Sequence, residues 1–200
     1  MLRALALNCT LTPSPGESST GLLAHQVLEQ LAEHGVETEQ LRVVDYDIAP
    51  GVEKHMGPGD QWPTIRERVL AADILVLATP TWMGQHSSIA QRVLERLDAE
   101  LAETDDAGRP ILSGKVAITA VVGNEDGAHH ITAVLYQALA DAGFSIPSQG
   151  GTYWNGQAMH TTDYKDLDET PSPTASATAG AARNAAHLAA VLQERPYPVG

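Results

Sequence analysis

The sequence predicts an α/β protein built on a doubly wound parallel sheet with helices on both faces. Three observations predict it. Short apolar runs of strand length at Leu2–Leu7, Ile74–Ala78 and Val116–Val122 lack the alternation of a half-exposed strand, so each reads as covered on both faces. Stretches with apolar residues at every fourth position lie between them, the pattern of amphipathic helices. Strands that alternate with helices of this size specify a parallel sheet with right-handed crossovers.

The elements follow in order. Leu2–Leu7, apolar except for Arg3, is the first strand. Leu23, Val27 and Leu31 then mark a helix that Gly35 stops. Val36–Val44 is the second strand, and its alternating charges place it nearer the sheet edge. Asp45–Gln61 holds three glycines and two prolines without any period, so it reads as a long loop. Trp62–Ala72 is a short helix leading into Ile74–Ala78, the strongest central-strand signal of the chain. Ile89, Val93, Leu97 and Leu101 define the next helix, which the polar run Thr104–Pro110 breaks. Val116–Val122 is the fourth strand; Ile131, Val134, Leu135 and Leu139 mark a helix that stops at Gly143; Phe144–Ile146 is a short fifth strand.

Five such strands match the flavodoxin-like member of the class, order 2-1-3-4-5. Residues 1–200 read as one domain, in which about 170–180, rich in Pro, Ser, Thr and Ala, is a tether delivering a C-terminal helix with Leu188, Val191 and Leu192.

Composition narrows the function. A net charge of −13 and a pI near 4.8 argue against nucleic acid or an anionic membrane as partner, since both recruit excess Lys and Arg. Cys9 is the single cysteine, so no internal disulfide forms. Apolar runs fall short of the roughly 20 residues that span a bilayer. The chain opens on a strand, without a basic segment and signal core. The expected location is the cytoplasm.

Three polar segments directly follow apolar runs, and in an open parallel sheet they gather along the carboxyl edge where small cofactors bind. In Asn8–Thr20, the hydroxyls Ser18, Ser19 and Thr20 sit where the first helix begins, with Thr10 closing the strand before it. A helix N-terminus carries unpaired N–H groups and partial positive charge, which suits a phosphate. Plain N-capping is the other reading of the same residues. The loop lacks G-x-G-x-x-G and G-x-x-x-x-G-K-[ST], which counts against a Rossmann dinucleotide site and a nucleoside triphosphatase.

In the second segment Pro80 and Gly84 bracket Thr81, Trp82 and Met83; backbone amides of a tight turn face a ligand there, or the turn is only structural. The third, Gly123-Asn124-Glu125-Asp126-Gly127, permits close backbone approach through its glycines, while its acids equally suit capping of the next helix. Together the three segments suggest a flavin mononucleotide (FMN) site and redox chemistry.

In that order and spacing, the hydroxyl loop, the Pro-Thr-x-x-Gly segment Pro80–Gly84 and the loop Gly123–Gly127 resemble the flavodoxin-like NAD(P)H-dependent FMN reductase and quinone reductase family, over roughly Met1–Trp154. The resemblance implies FMN held by its phosphate on Thr10, Ser18, Ser19 and Thr20. The ring edge and ribityl chain then lie against Thr81, Trp82, Met83 and Gly84, with Asn124–Gly127 closing the other side. Many members of that family carry an arginine in the first loop; Asn8–Thr20 has none.

Other residues carry weaker signals. His129 and His130 are adjacent, so on a helix they point about 100° apart and do not share a metal; no metal site is expected. Cys9 reads as a buried small apolar residue, and the acidic run Asp163–Glu169 as solvated surface without a site. Tyr153 and Trp154 border the flavin, line a dimer contact or simply pack.

The expected activity is hydride transfer from NADH or NADPH through FMN to a quinone, a free flavin or another small acceptor. No dedicated acid–base residue is expected, because the flavin carries the reaction. The resemblance also implies a homodimer or homotetramer. The rival reading is a flavodoxin-type electron carrier that docks protein partners through its acidic surface.

Overall fold

The computed structural model describes residues 1–157 and 159–198, so the last two positions of the expected domain lie outside the described residues. Its five parallel strands are β1 (Arg3–Asn8), β2 (Glu37–Arg42), β3 (Ile74–Trp82), β5 (Val116–Gly123) and β6 (Gly151–Asn155). They run in the order β2-β1-β3-β5-β6, the expected topology once the two-residue β4 (Gln85–His86) is counted; β4 folds back antiparallel on β3. The helices are α1 (Ser19–Glu33), α2 (Trp62–Ala71), α3 (Ser88–Leu97), α4 (Ala128–Asp141) and α5 (Ser172–Glu194).

The continuous apolar strands are explained by two separate cores. Along β3, Ile74, Val76 and Ala78 face the layer of α1 and α5, while Leu75 and Leu77 face that of α2, α3 and α4. Each strand residue therefore meets apolar atoms whichever way it points, and alternation is lost. The α5 side is rich in Ala, with Ala181, Ala182, Ala185 and Ala189 buried, which lets that helix lie close to α1 and β6. By contrast β2 is a charged edge strand, as its sequence suggests, with Glu37 and Thr38 exposed and Glu39 half-buried.

Three expectations are corrected. Phe144–Ile146 contributes one parallel bridge, Ser145 to Val116, and the fifth strand proper is Gly151–Asn155. From Ser145 to Gly151 the chain advances six residues while β5 advances three, from Val116 to Thr119, so the Pro147–Gly150 stretch loops out and splits the strand signal. The tether at about 170–180 is instead the first turns of α5, which begins at Ser172 with Pro in its first turn. Finally, Leu101 does not continue the α3 stripe: the helix tightens into a 3₁₀ turn at Asp98–Ala102 and Leu101 is exposed.

The first two crossovers run in opposite directions, α1 carrying the chain from β1 to β2 and α2 returning it from β2 to β3 on the other side of β1. That reversal opens a crevice beyond the carboxyl ends of β1 and β3.

Candidate functional site

A cleft of about 250 Å³ fills that crevice. Of the sequence-predicted residues, Thr10, Ser18, Ser19, Thr20, Pro80, Thr81, Trp82, Gly123 and Asn124 line it. Met83, Gly84, Glu125, Asp126 and Gly127 do not line it.

The first loop is tied down from outside. Asp45 accepts both the N–H and the hydroxyl of Ser14, and the Arg42 guanidinium, at the end of β2, donates to the Gly16 carbonyl at 2.6 Å. An arginine thus serves this loop, but through its backbone and from another strand. Within the loop Asn8 Oδ1 accepts the Thr10 N–H at 3.1 Å. Ser18 is the N-cap of α1, its Oγ accepting from the Gly21 N–H at 3.0 Å. Capping and phosphate binding are therefore not alternatives at Ser18: a capping hydroxyl still has its own proton to donate. The N–H groups of Ser19 and Thr20, in the first turn, have no intrahelical acceptor and face the cleft end of the helix.

The second segment is not a loop but the continuation of β3 and a tight hairpin. Trp82 pairs with Gln85, and the two residues between them, Met83 and Gly84, have φ of 52° and 73°. Two successive positive φ values fit the primed turns that match strand twist. For methionine this conformation is uncommon. Met83 is held there by its N–H donating to Glu125 Oε1 at 2.6 Å. Its side chain is 91% exposed, and that of Trp82 is 55% exposed.

The third loop is shaped by close approach. A Cβ on Gly123 would stand 2.6 Å from Thr81 Cβ, and one on Gly127 would stand 2.8 Å from Gly84 Cα. Gly127 also has φ of 144°, closed to other residues, and begins α4 without a side-chain cap. Asp126 Oδ1 accepts from the Gly127 N–H and the Asn155 amide, so its carboxylate serves the loop itself. The acids of this segment are latches, and the cleft receives Asn124 and Gly123.

Two further groups reach the cleft: one of the pair Tyr153 and Trp154, for which the sequence leaves flavin border, dimer contact and packing open, and part of the run Asp163–Glu169, to which it assigns no site. Trp154 projects into the cleft and packs on Tyr164, ring centres 5.5 Å apart, whereas Tyr153 points to the opposite face of β6, edge-on to His129. The run Asp163–Glu169, expected as solvated surface, instead sends Asp163, Tyr164 and Lys165 into the lining. Tyr164 is buried and donates its hydroxyl to Gln26 Oε1 at 2.6 Å, which pins the run against α1. Its burial also pushes the phenol pKa up. Cys9 is fully buried beside the cleft floor, and burial alone pushes its thiol far above the ordinary range, so it is an inert core residue.

These residues fit a flavin mononucleotide. The α1 end supplies N–H and hydroxyl donors for a phosphate. Thr81 Oγ1 is buried in the lining without a hydrogen-bond partner among the described residues, an orphaned polar atom of the kind a ligand satisfies. Gly123 lines the same cleft and lets Thr81 stand close against the third loop.

A doubly wound sheet with such donors at its switch-point cleft defines a mononucleotide-binding protein of the flavodoxin-like class. The chain belongs to the NADPH-dependent FMN reductase family, which matches residues 2–160. FMN with NAD(P)H is the cofactor set of that family. The 8-demethyl-8-aminoriboflavin-5'-phosphate synthase of Streptomyces davaonensis is 34% identical over 98% of this chain and 80% of its own length. The crystal structure of RosB with bound 8-demethyl-8-formylriboflavin-5'-phosphate superposes with a TM-score of 0.87 at 33% identity, covering 98% of this chain and 82% of that one. The divalent metal cation transporter MntH of Mycobacterium bovis is 39% identical over 82% of this chain, which spans only 25% of that protein. Among the described residues, no helix is long and apolar enough to cross a membrane.

Proposed function

We propose that this chain binds one FMN in the switch-point cleft and passes hydride equivalents from NAD(P)H to a small acceptor. The observation that carries the reading is the meeting of phosphate donors at the α1 terminus with the buried, unpartnered Thr81 Oγ1 in one cleft. FMN held there would supply the hydride-transfer chemistry between nicotinamide and acceptor. The protein would bind the phosphate on Thr10, Ser18, Ser19 and Thr20, and orient the ring between Thr81–Trp82 and Gly123–Asn124.

The acceptor is a quinone, a free flavin or a related small oxidant, and the protein acts in the cytoplasm as a single domain, as a homodimer or homotetramer. The exposed Trp82 and Met83 beside the cleft support an apolar neighbour there, either a planar substrate or a second subunit. Titrating apo-protein with FMN tests the reading: absent flavin-fluorescence change or visible absorbance would overturn it.

The 33–34% identity to flavin-modifying relatives over nearly the whole chain favours a second reading, in which bound FMN is itself the substrate and is altered at its 8-position. Mass analysis of the flavin recovered after aerobic incubation separates the two. A changed mass supports modification, and unchanged FMN supports electron transfer.

A further inference from the structure

We infer that Lys165 supplies the positive charge of the phosphate half of the cleft, a role that rests on the FMN-binding reading above. Among the described residues it is the one cationic side chain lining the cleft, and the other ionised groups of the lining are Glu17 and Asp163. A phosphate dianion placed there, in a chain of net charge −13, would be repelled by both of those carboxylates, and of the charged groups in the lining Lys165 alone attracts it.

Its position is built. Tyr164, buried and bonded to Gln26, anchors the 3₁₀ turn Tyr164–Asp166, and the Lys165 N–H donates to Ser19 Oγ at 3.2 Å. The backbone of Lys165 is therefore fastened to the helix terminus that offers the phosphate donors. Its ammonium lies 2.8 Å from Asp166 Oδ1 and 3.9 Å from Glu17 Oε2, and the Asp166 carboxylate holds its pKa above the ordinary lysine value. The cation is thus firmly charged and stays where two acids steer it, partly shielded at 28% exposure.

Lys165 lies just beyond residues 2–160, the stretch the family match covers, and the first loop contains no Lys or Arg. The charge of the phosphate site thus comes from a segment outside that stretch, with Arg42 occupied in holding loop carbonyls.

The test compares FMN with riboflavin, which lacks the phosphate, by fluorescence titration of apo wild type, Lys165→Gln and Lys165→Arg. A partly exposed ammonium on a phosphate should contribute about tenfold in affinity. The expected result is FMN binding about tenfold weaker in Lys165→Gln and largely restored in Lys165→Arg, riboflavin binding within twofold throughout, and a salt dependence of FMN binding that is reduced in Lys165→Gln. Unchanged FMN affinity in Lys165→Gln, or parallel loss of FMN and riboflavin, overturns the inference while leaving FMN binding intact. A wild-type protein that binds neither flavin overturns the functional reading itself, and this inference with it.

Discussion

Glu125 Oε1 accepts the Met83 N–H at 2.6 Å, joining the loop after β5 to the hairpin tip that extends β3. The bond holds a methionine at positive φ, a conformation costing of order 1 kcal/mol or more. Its carboxylate is thereby engaged with protein and contributes to the site by fixing where Trp82 stands.

Glu125→Ala should therefore loosen the hairpin more than the domain. The expected outcome is a modest fall in thermal stability, about 1 kcal/mol from one charged hydrogen bond at an exposed site, together with faster proteolysis near Met83. Hydrogen exchange at the Met83 amide reads it directly; protection equal to wild type would show that the latch is not held by Glu125.

Gly127→Ala is expected to be more severe. A Cβ there would stand 2.8 Å from the Gly84 backbone at a φ of 144°, so the hairpin must move and strain is added, together about 2–3 kcal/mol. Chemical denaturation gives the loss, and FMN affinity should fall with it because the hairpin and third loop separate.

How much of this was legible in the sequence depends on what each residue is fixed by. β1, β3 and β5 are buried on both faces, and burial writes an uninterrupted apolar run that needs no context. β6 is hard to read in the sequence because the Pro147–Gly150 excursion hides its continuity with Ser145. The start of α5 reads as a tether because Pro, Ser and Thr are weak helix formers and its first turns carry no large apolar stripe; its small side chains pack against α1 and β6, which only the tertiary structure supplies. At the site, residues that immediately follow strands are signalled by that position, while Lys165 is masked in the sequence by its acidic neighbours and positioned by Tyr164 from far along the chain. The acids of Gly123–Gly127 lie outside the cleft lining, and their partners are backbone and amide groups, which their residue type alone does not reveal.

Acid stability has an identifiable contributor. Arg96 is fully buried and donates to both oxygens of Asp60, while also binding the Ala49 and Glu53 carbonyls, so one ion pair organises the long loop before α2. Arg96 beside it holds the Asp60 carboxyl well below the usual carboxylate range. A depressed folded-state pKa contributes stability that is fully present above the unfolded value of about 3.9 and is lost as pH falls from there through the folded value. Unfolding monitored between pH 7 and 2 should thus show a decline beginning near pH 4–5 that is shallower in Asp60→Asn, which starts less stable at pH 7. Arg96→Met should cost about 3–5 kcal/mol at neutral pH, since it strands a buried carboxylate.

The remaining prediction concerns turnover. If FMN lies between Thr81–Trp82 and Gly123–Asn124, the hairpin covers one part of the ring and leaves an exposed apolar approach beside Trp82 and Met83. Nicotinamide and acceptor would then occupy the same approach in turn, because hydride transfer requires each within about 3–3.5 Å of the flavin. Alternate occupancy of one approach gives ping-pong kinetics: parallel double-reciprocal lines for NADPH against a quinone. Trp82→Ala should change KM for both substrates while leaving FMN affinity less affected, since the side chain is more than half exposed. Anaerobic stopped-flow mixing isolates the first half: NADPH or NADH alone should bleach the flavin absorbance, and added quinone should restore it. An electron carrier of the flavodoxin type would instead be reduced by neither nucleotide at a useful rate and would need a protein partner, so a flavin that dithionite bleaches but NAD(P)H does not would decide for the carrier.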